Sequence, residues 1–182
     1  MTNPYFWLSD EIQAYLLVVL IGISIVLMFK LNAIGKGLVI KEEGIPYGII
    51  NLEMPWNQQN ATSIVKVWTD RNVTEAAVKQ THLDFLYLLF YPATLSLACV
   101  LLDISTAGLT LIRAGIFLSW SVLFCIPLDA CENFLILKML SGNCHSPIPE
   151  FTTLVAALKF FLIAISLMYL LTGFVYFLIK RL

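Results

Sequence analysis

Charged residues are scarce in this sequence. Asp, Glu, Lys and Arg together make up 13% of its 182 residues, whereas a soluble domain carries about 25%. Because so few charges cannot cover a globule of this size, much of the surface must face lipid. Backbone groups in lipid have to bond to one another, which leaves only helices or a closed barrel. Barrel strands would alternate apolar and polar residues over about 10 positions. The long unbroken apolar runs here predict helices instead.

Motifs typical of soluble enzymes and nucleic-acid-binding proteins are also missing. The net charge is −1, so the sequence gives no reason to expect nucleic acid as a partner. The cysteines have no metal-ligand spacing, and the sequence contains no HExxH, no CxxC and no phosphate-binding glycine loop. We therefore expect no metal and no cofactor. The lack of an internal repeat also gives no support to a transporter.

Four apolar runs are long enough to cross a bilayer, which takes about 20 mainly apolar residues. They cover residues 12–29, 85–102, 109–127 and 160–179. We predict an all-α integral membrane protein in which residues 1–182 form a single membrane domain. Its architecture is a four-helix transmembrane bundle.

A sizeable polar segment, residues 31–83, lies between the first two spans. It is too short to bury a core alone, so we expect a membrane-facing cap on the bundle. Residues 47–54 are typical of a strand, and a helix that begins at Thr74 should run directly into the second span. Between them, apolar residues at i, i+3, i+4 and i+7 predict an amphipathic helix. These residues are Ala61, Ile64, Val65 and Trp68.

Ionisable residues occur at the edges of the spans, where they are expensive and mark a site by default. Asp84 stands at the start of the second span, and Lys159 opens the fourth. Asp129, Glu132 and Asn133 follow the third span at i, i+3 and i+4, so one helical face presents all three. Pro127, just before them, predicts a kink.

These residues should meet at one depth. Glu132 and Lys159 are about equally far along their helices from the turn at residues 141–150, so an antiparallel pair brings them level. Asp84 enters from the same side of the membrane, and the tyrosines one and two turns after it share its helical face. The predicted ligand-binding residues are Asp84, Tyr87, Tyr91, Asn133 and Lys159.

Two interpretations of this cluster stay open. In the structural one, Asp129 or Glu132 pairs with Lys159 and holds the helices together. In the functional one, the cluster binds a polar headgroup or a reacting group. Neighbouring carboxyls disfavour double ionisation, so they can serve as general acid and base. The catalytic candidates are then Asp129, Glu132 and Asp84. A metal site built from His82 and these acids has suitable ligand types but no recognisable spacing.

The sequence favours a non-enzymatic membrane component, which is a scaffold, an accessory subunit or a lipid-binding protein. The alternative is a membrane-embedded enzyme that acts on a lipid or isoprenoid-like substrate by acid/base chemistry, so enzymatic activity stays open. Membrane lipids are the expected partners. Another membrane protein, or a second copy of the chain in a homo-oligomer, is a further candidate.

Four short motifs occur in a fixed order in the middle of the chain. They are Leu52-Glu53, Trp68, Leu83-Asp84-Phe85-Leu86 and Asp129-Ala130-Cys131-Glu132-Asn133. In this order they resemble a group of small four-span membrane proteins, mainly bacterial, over roughly residues 48–140. The resemblance implies a strand-like segment before a short helix that ends in Trp. It also implies that Asp84, Glu132 and Asn133 belong to a shared site. The group has no known activity, so no role follows for these residues.

Basic residues near the span ends predict orientation. Most of them lie between the first two spans, which favours a cytoplasmic cap and both termini on the opposite side. Together with the mainly bacterial resemblance, this predicts a multi-pass protein of the bacterial inner membrane. The basic residues between the first two spans are Lys30, Lys36, Lys41, Lys66, Arg71 and Lys79.

Overall fold

The computed structural model describes residues 2–105 and 114–181 of the chain. Besides helices and turns, the described residues contain an isolated antiparallel bridge between Ile40 and Ile45. The α-helices are α1 (Asp10–Gly35), α2 (Ile49–Glu53), α3 (Gln58–Asp70), α4 (Thr74–Ser105), α5 (Ala114–Leu123), α6 (Cys125–Leu140) and α7 (Ile148–Arg181).

Four helical stretches are long and apolar enough to cross a membrane: Asp10–Leu38, Thr74–Ile104, Ala114–Leu140 and Ile148–Tyr176. The predicted all-α, four-helix transmembrane fold is therefore confirmed, and the protein is an integral, multi-pass membrane protein. As expected, α4 begins at Thr74 and continues into the second span without a break. The predicted start of the third span, residues 109–113, lies outside the described residues.

The third span is divided at Phe124, between α5 and α6. Pro127 has no N–H, and its ring clashes with the carbonyl of the residue four positions earlier, Leu123. Accordingly α5 ends at Leu123, and the Phe124 N–H donates instead to the Ser121 carbonyl at 3.1 Å. The interruption thus lies one turn before the proline that predicted it.

Residues 47–54 were predicted as a strand, and the structure corrects this, because Ile49–Glu53 is the helix α2. Gly48 has φ 58, a conformation that glycine adopts without steric cost, and it turns the chain into the helix. The Tyr47 N–H donates to Asn51 Oδ1 at 2.8 Å. Such local side-chain bonds compete with strand pairing. Neither the positive φ of Gly48 nor this bond can be recognised from the spacing of apolar residues.

The amphipathic helix in the cap segment is present as α3. Its N-cap is Asn57, whose side chain accepts a hydrogen bond from the Asn60 N–H at 2.9 Å. The apolar residues at helical spacing point inward, as predicted. The buried residues of α3 are Ala61, Ile64, Val65 and Trp68.

Internal contacts divide the chain into two compact units, and each contains parts of all four candidate spans. Unit 1 comprises Met1–Ile25, Leu89–Ile126 and Phe160–Leu182. Unit 2 comprises Val26–Leu88 and Pro127–Lys159.

Unit 2 contains an apolar core in which the cap segment packs against the last turns of α6. Trp68 is fully buried, and its indole Nε1–H donates to the Leu38 carbonyl at 3.1 Å. This bond satisfies a buried backbone oxygen where α1 has ended. The core residues are Leu38, Ile45, Leu52, Ala61, Ile64, Val65, Trp68, Ala77, Ile136, Met139, Leu140 and Cys144.

Unit 1 has several buried polar residues. Gln13 is 1% exposed, and its side-chain amide donates to the Leu8 carbonyl at 2.9 Å. The Tyr169 hydroxyl donates to Asp103 Oδ1 at 3.4 Å. A Cβ added at Gly115 would lie 2.5 Å from the Tyr169 hydroxyl and 2.7 Å from Asp103 Cβ, so this close approach requires glycine.

The Trp68 bond gives a first testable prediction. Trp68→Phe leaves the buried Leu38 carbonyl without its donor, so we expect a loss of about 1–3 kcal/mol in the free energy of unfolding. Trp56→Phe is the matched control because the Trp56 side chain is 65% exposed. Thermal unfolding in detergent, followed by circular dichroism, compares the two variants. Equal midpoints for both would contradict the buried role of Trp68.

Candidate functional site

Ionisable side chains from four helices of unit 2 converge at one place. The helices α2, α4, α6 and α7 each contribute at least one of them. We call this group the Lys159 cluster and define it by six residues: Glu53, Asp84, Asp129, Glu132, Asn133 and Lys159.

The Lys159 ammonium is the centre of the cluster. Its Nζ donates to Asp129 Oδ1 at 2.6 Å and to Glu132 Oε1 at 2.9 Å. It also lies 2.8 Å from Glu132 Oε2, an electrostatic contact without the direction of a hydrogen bond. Glu53 Oε2 is 3.9 Å away. Three carboxyl groups therefore face one ammonium.

Asp84 joins α4 to the same cluster. The Asn133 side-chain amide on α6 donates to Asp84 Oδ2 at 2.8 Å. Asp84 is also within Coulombic range of Asp129, Lys159 and Glu53. A fourth carboxyl group thus contributes to the electrostatics of the site.

The cluster has a closed base and a partly open rim. The relative exposure of Lys159, Asp129, Glu132 and Asn133 is 6%, 2%, 1% and 3%. The Glu53 side chain is 15% exposed, and Asp84 is half-buried. We call Glu53 and Asp84 the rim acids, because they are the more exposed members of the cluster.

Helical periodicity on α6 builds the base. Asp129, Glu132 and Asn133 occupy positions i, i+3 and i+4, so they share a face. That face receives Lys159 from α7, as the structural interpretation of the sequence predicts. Tyr87, one turn after Asp84 on α4, is half-buried and within Coulombic range of Asp84 and Asp129.

Two other residues singled out in the sequence are Tyr91 and His82. Tyr91 is half-buried and belongs to unit 1. His82 is exposed. Among the described residues, no three His, Cys, Asp or Glu side chains are arranged to hold a metal ion, so the metal interpretation has no geometric support there.

Glu53 is the member of the cluster that sequence reasoning missed. It is the last residue of α2 and follows Leu52, which is fully buried. A strand would direct Glu53 and Leu52 to opposite faces, away from a common interior. The helical turn instead lets both residues point inward. The Leu52-Glu53 motif was the one signal in the sequence that could have identified Glu53.

The charge balance of the cluster is unequal. If every carboxyl were ionised, four negative charges would share one ammonium. Buried charges need partners, so this excess favours either protons or an added cation. Burial raises the pKa of Glu53, which lies outside the candidate spans, and the nearby Lys159 ammonium opposes that rise.

The ion pairs of Lys159 give the second prediction. Lys159→Met leaves Asp129 and Glu132 buried without a counter-charge, so the free energy of unfolding should fall by about 3–5 kcal/mol. Lys79→Met is the control, because Lys79 pairs with Glu75 on the surface, where the side chains are 66% and 80% exposed. Thermal unfolding in detergent measures both.

A double-mutant cycle isolates the pair itself. In the Lys159→Met and Glu132→Gln double variant, part of the loss should be recovered, because one uncompensated charge is removed with its partner. Strictly additive effects of the two substitutions would exclude an interaction between Lys159 and Glu132.

Glu53 gives the third prediction, on pH dependence. Its raised pKa means that the folded state holds this proton more tightly than the unfolded state, so stability falls as pH rises above the ordinary glutamate value of 4.5. Glu53→Gln removes this contribution, and its melting midpoint should fall less than that of the wild type over the same pH range.

The groups that face Glu53, namely Lys159, Asp129, Glu132 and Asp84, remain in the variant. The difference between the two curves of melting midpoint against pH therefore measures the contribution of Glu53. Glu42→Gln, at an exposed glutamate, should follow the wild-type curve. An equal or steeper fall for Glu53→Gln would contradict the predicted sign.

Protein-family models, curated proteins and solved structures give no match to this chain. Its function is therefore argued from the chemistry of the Lys159 cluster in a polytopic membrane protein.

Proposed function

We propose that the protein is a non-enzymatic membrane component that binds a lipid, and that the Lys159 cluster receives a positively charged amine on the lipid headgroup. The observation that carries this proposal is the unequal charge. One buried ammonium faces three carboxyl groups, and Asp84 adds a fourth within Coulombic range.

The rim acids are the part of the cluster left to a ligand. Asp129 and Glu132 hold Lys159 at 2.6 Å and 2.8 Å. Glu53 is farther from Lys159, at 3.9 Å, and Asp84 accepts from a neutral amide. A ligand ammonium between Glu53 and Asp84 would add a second positive charge beside the rim acids, of which Glu53 otherwise shares Lys159 with Asp129 and Glu132. It would form charge-assisted hydrogen bonds, which are the stronger class.

The position of the cluster favours a lipid as the bearer of that amine. Asp84, Glu132 and Lys159 lie in three different candidate spans. An ionisable group at such a place marks a site by default. A molecule of the bilayer can bring its headgroup to this depth without crossing lipid as a free ion.

The enzyme alternative requires Asp129 and Glu132 as base and acid. Both are at most 2% exposed and both contact Lys159. This arrangement occupies the two carboxyls that would have to exchange protons with a substrate. Binding at the rim acids needs no such exchange, so the geometry favours binding over turnover.

The family resemblance supports one shared site. Asp84 belongs to the LDFL-type motif, and Glu132 and Asn133 belong to the DxxEN-type motif. The 2.8 Å bond from Asn133 to Asp84 joins the two motifs. Membership of the small four-span group would explain why these residues occur in this order.

Native mass spectrometry of protein released gently from its own membrane tests the proposal. The wild type should retain an adduct with the mass of an amine-headgroup lipid. The double variant Asp84→Asn and Glu53→Gln should lose most of it, because the ligand's counter-charges are gone. The control is the double variant Glu42→Gln and Glu75→Gln, which changes two exposed glutamates and should retain the adduct.

The other outcomes each overturn the proposal in a defined way. A small amine without acyl chains would keep the amine site but exclude a lipid ligand. A lipid adduct that survives in the rim variant would place lipid elsewhere. Conversion of the lipid by wild type, lost in Asp129→Asn, would establish the enzyme alternative. A bare chain, or one released with another protein, would indicate a scaffold or accessory subunit.

A further inference from the structure

The cap segment has a surface whose polarity is the reverse of that expected in water. In residues 45–56 the exposed side chains are Tyr47, Ile50 and Trp56, at 68%, 46% and 65%. Glu53 is the one charged residue of this stretch of sequence, and its side chain is only 15% exposed. Water favours charges outside and large apolar groups inside. Lipid favours the arrangement seen here.

The neighbouring helix α3 shows the ordinary polarity. Its apolar residues at helical spacing are buried, whereas Lys66 and Asp70 are exposed. Just after α3, Arg71 and Glu43 form a surface pair at 3.0 Å. The cap segment therefore presents two kinds of surface: residues 45–56 expose large apolar side chains, whereas α3 exposes polar and charged ones.

A hydrogen bond fixes the level of Trp56 along α7. The Trp56 backbone N–H donates to Thr153 Oγ1 at 2.9 Å. Thr153 lies in the second turn of the candidate span Ile148–Tyr176. In the same part of α7, Phe151 and Leu154 are 47% and 63% exposed. The exposed Trp56 thus lies level with exposed apolar residues of a spanning helix.

A groove of about 320 Å³ beside Trp56 shows where the polarity changes. One part of its wall is formed by the apolar residues Met54, Pro55 and Trp56. The other part includes Glu43 and Asn60. The boundary between acyl chains and headgroups likewise changes from apolar to polar, and Trp and Tyr are enriched there.

We infer that residues 45–56 lie in the headgroup layer of the bilayer, with Tyr47, Ile50 and Trp56 in contact with lipid. The occupant of this surface is bilayer lipid rather than a second protein. The inference does not rest on lipid binding by the Lys159 cluster, because a lipid-facing surface needs no specific headgroup. It makes residues 45–56 a membrane anchor and leaves α3 as a water-facing part of the cap.

Site-directed spin labelling in phosphatidylcholine vesicles tests this inference. The ratio of collisions with oxygen, which concentrates in lipid, to collisions with a water-soluble nickel complex is measured for a nitroxide at Ile50→Cys. This ratio should be several-fold higher than for the same label at Lys66→Cys on α3, which is the matched control. A label at Tyr47→Cys provides a second position on the apolar surface.

The native cysteines require a background measurement. Cys99, Cys125 and Cys144 are buried and Cys131 is half-buried, so treating the parent protein with the label measures their contribution. Circular dichroism spectra matching the parent establish that the labelled variants are folded.

Two results would overturn the inference. Nickel accessibility at Ile50 and Tyr47 equal to that at Lys66 would place residues 45–56 in water. Immobile labels that neither oxygen nor nickel reaches would show that protein, not lipid, covers this surface. The rim-acid variants do not change the exposed residues, so loss of a lipid adduct there and loss of lipid contact here are separate results.

Discussion

The ion contacts of Lys159 are the constraint on which unit 2 depends. A lysine placed in a membrane-spanning helix needs a counter-charge nearby, because no water is present to solvate it. Asp129 and Glu132 meet this need from one face of α6. Their contact fixes the rotation of α6 against α7 within unit 2. Asn133, on the same face, then positions Asp84 of α4, so one charge determines the facing surfaces of three helices.

Stability alone does not explain why so many ionisable groups are placed there. Polar contacts between membrane helices average about 0.6 kcal/mol, and replacing a buried ion pair by apolar residues is often neutral or stabilising. A single acid would have satisfied Lys159. Glu53 and Asp84 exceed that structural need, and they are the two carboxyls with access from outside the closed base. A cation-binding site requires such an excess of carboxyl groups, whereas a purely structural ion pair does not.

Helical periodicity predicted much of the fold and part of the site. The long apolar runs located the spans, and spacing placed Asp129, Glu132 and Asn133 on one face, where Lys159 meets them. Prediction failed where the conformation depends on single residues. Gly48, with its positive φ, and the Tyr47–Asn51 bond turn an apparent strand into α2. Because α2 was missed, so was Glu53, whose neighbours in the cluster come from residues far away in sequence.

Glu53 connects the two proposals through one physical argument. If residues 45–56 lay in water, a glutamate there could be solvated outward, and Tyr47, Ile50 and Trp56 would be driven inward. In the headgroup layer both preferences reverse, because exposed apolar groups are stabilised and a carboxyl needs a partner inside the protein. The Lys159 cluster is the partner that α2 can reach. On the two proposals the inward acid and the outward aromatic residues have one cause, and the lipid surroundings that favour the apolar surface would also bring amine headgroups close to the rim acids.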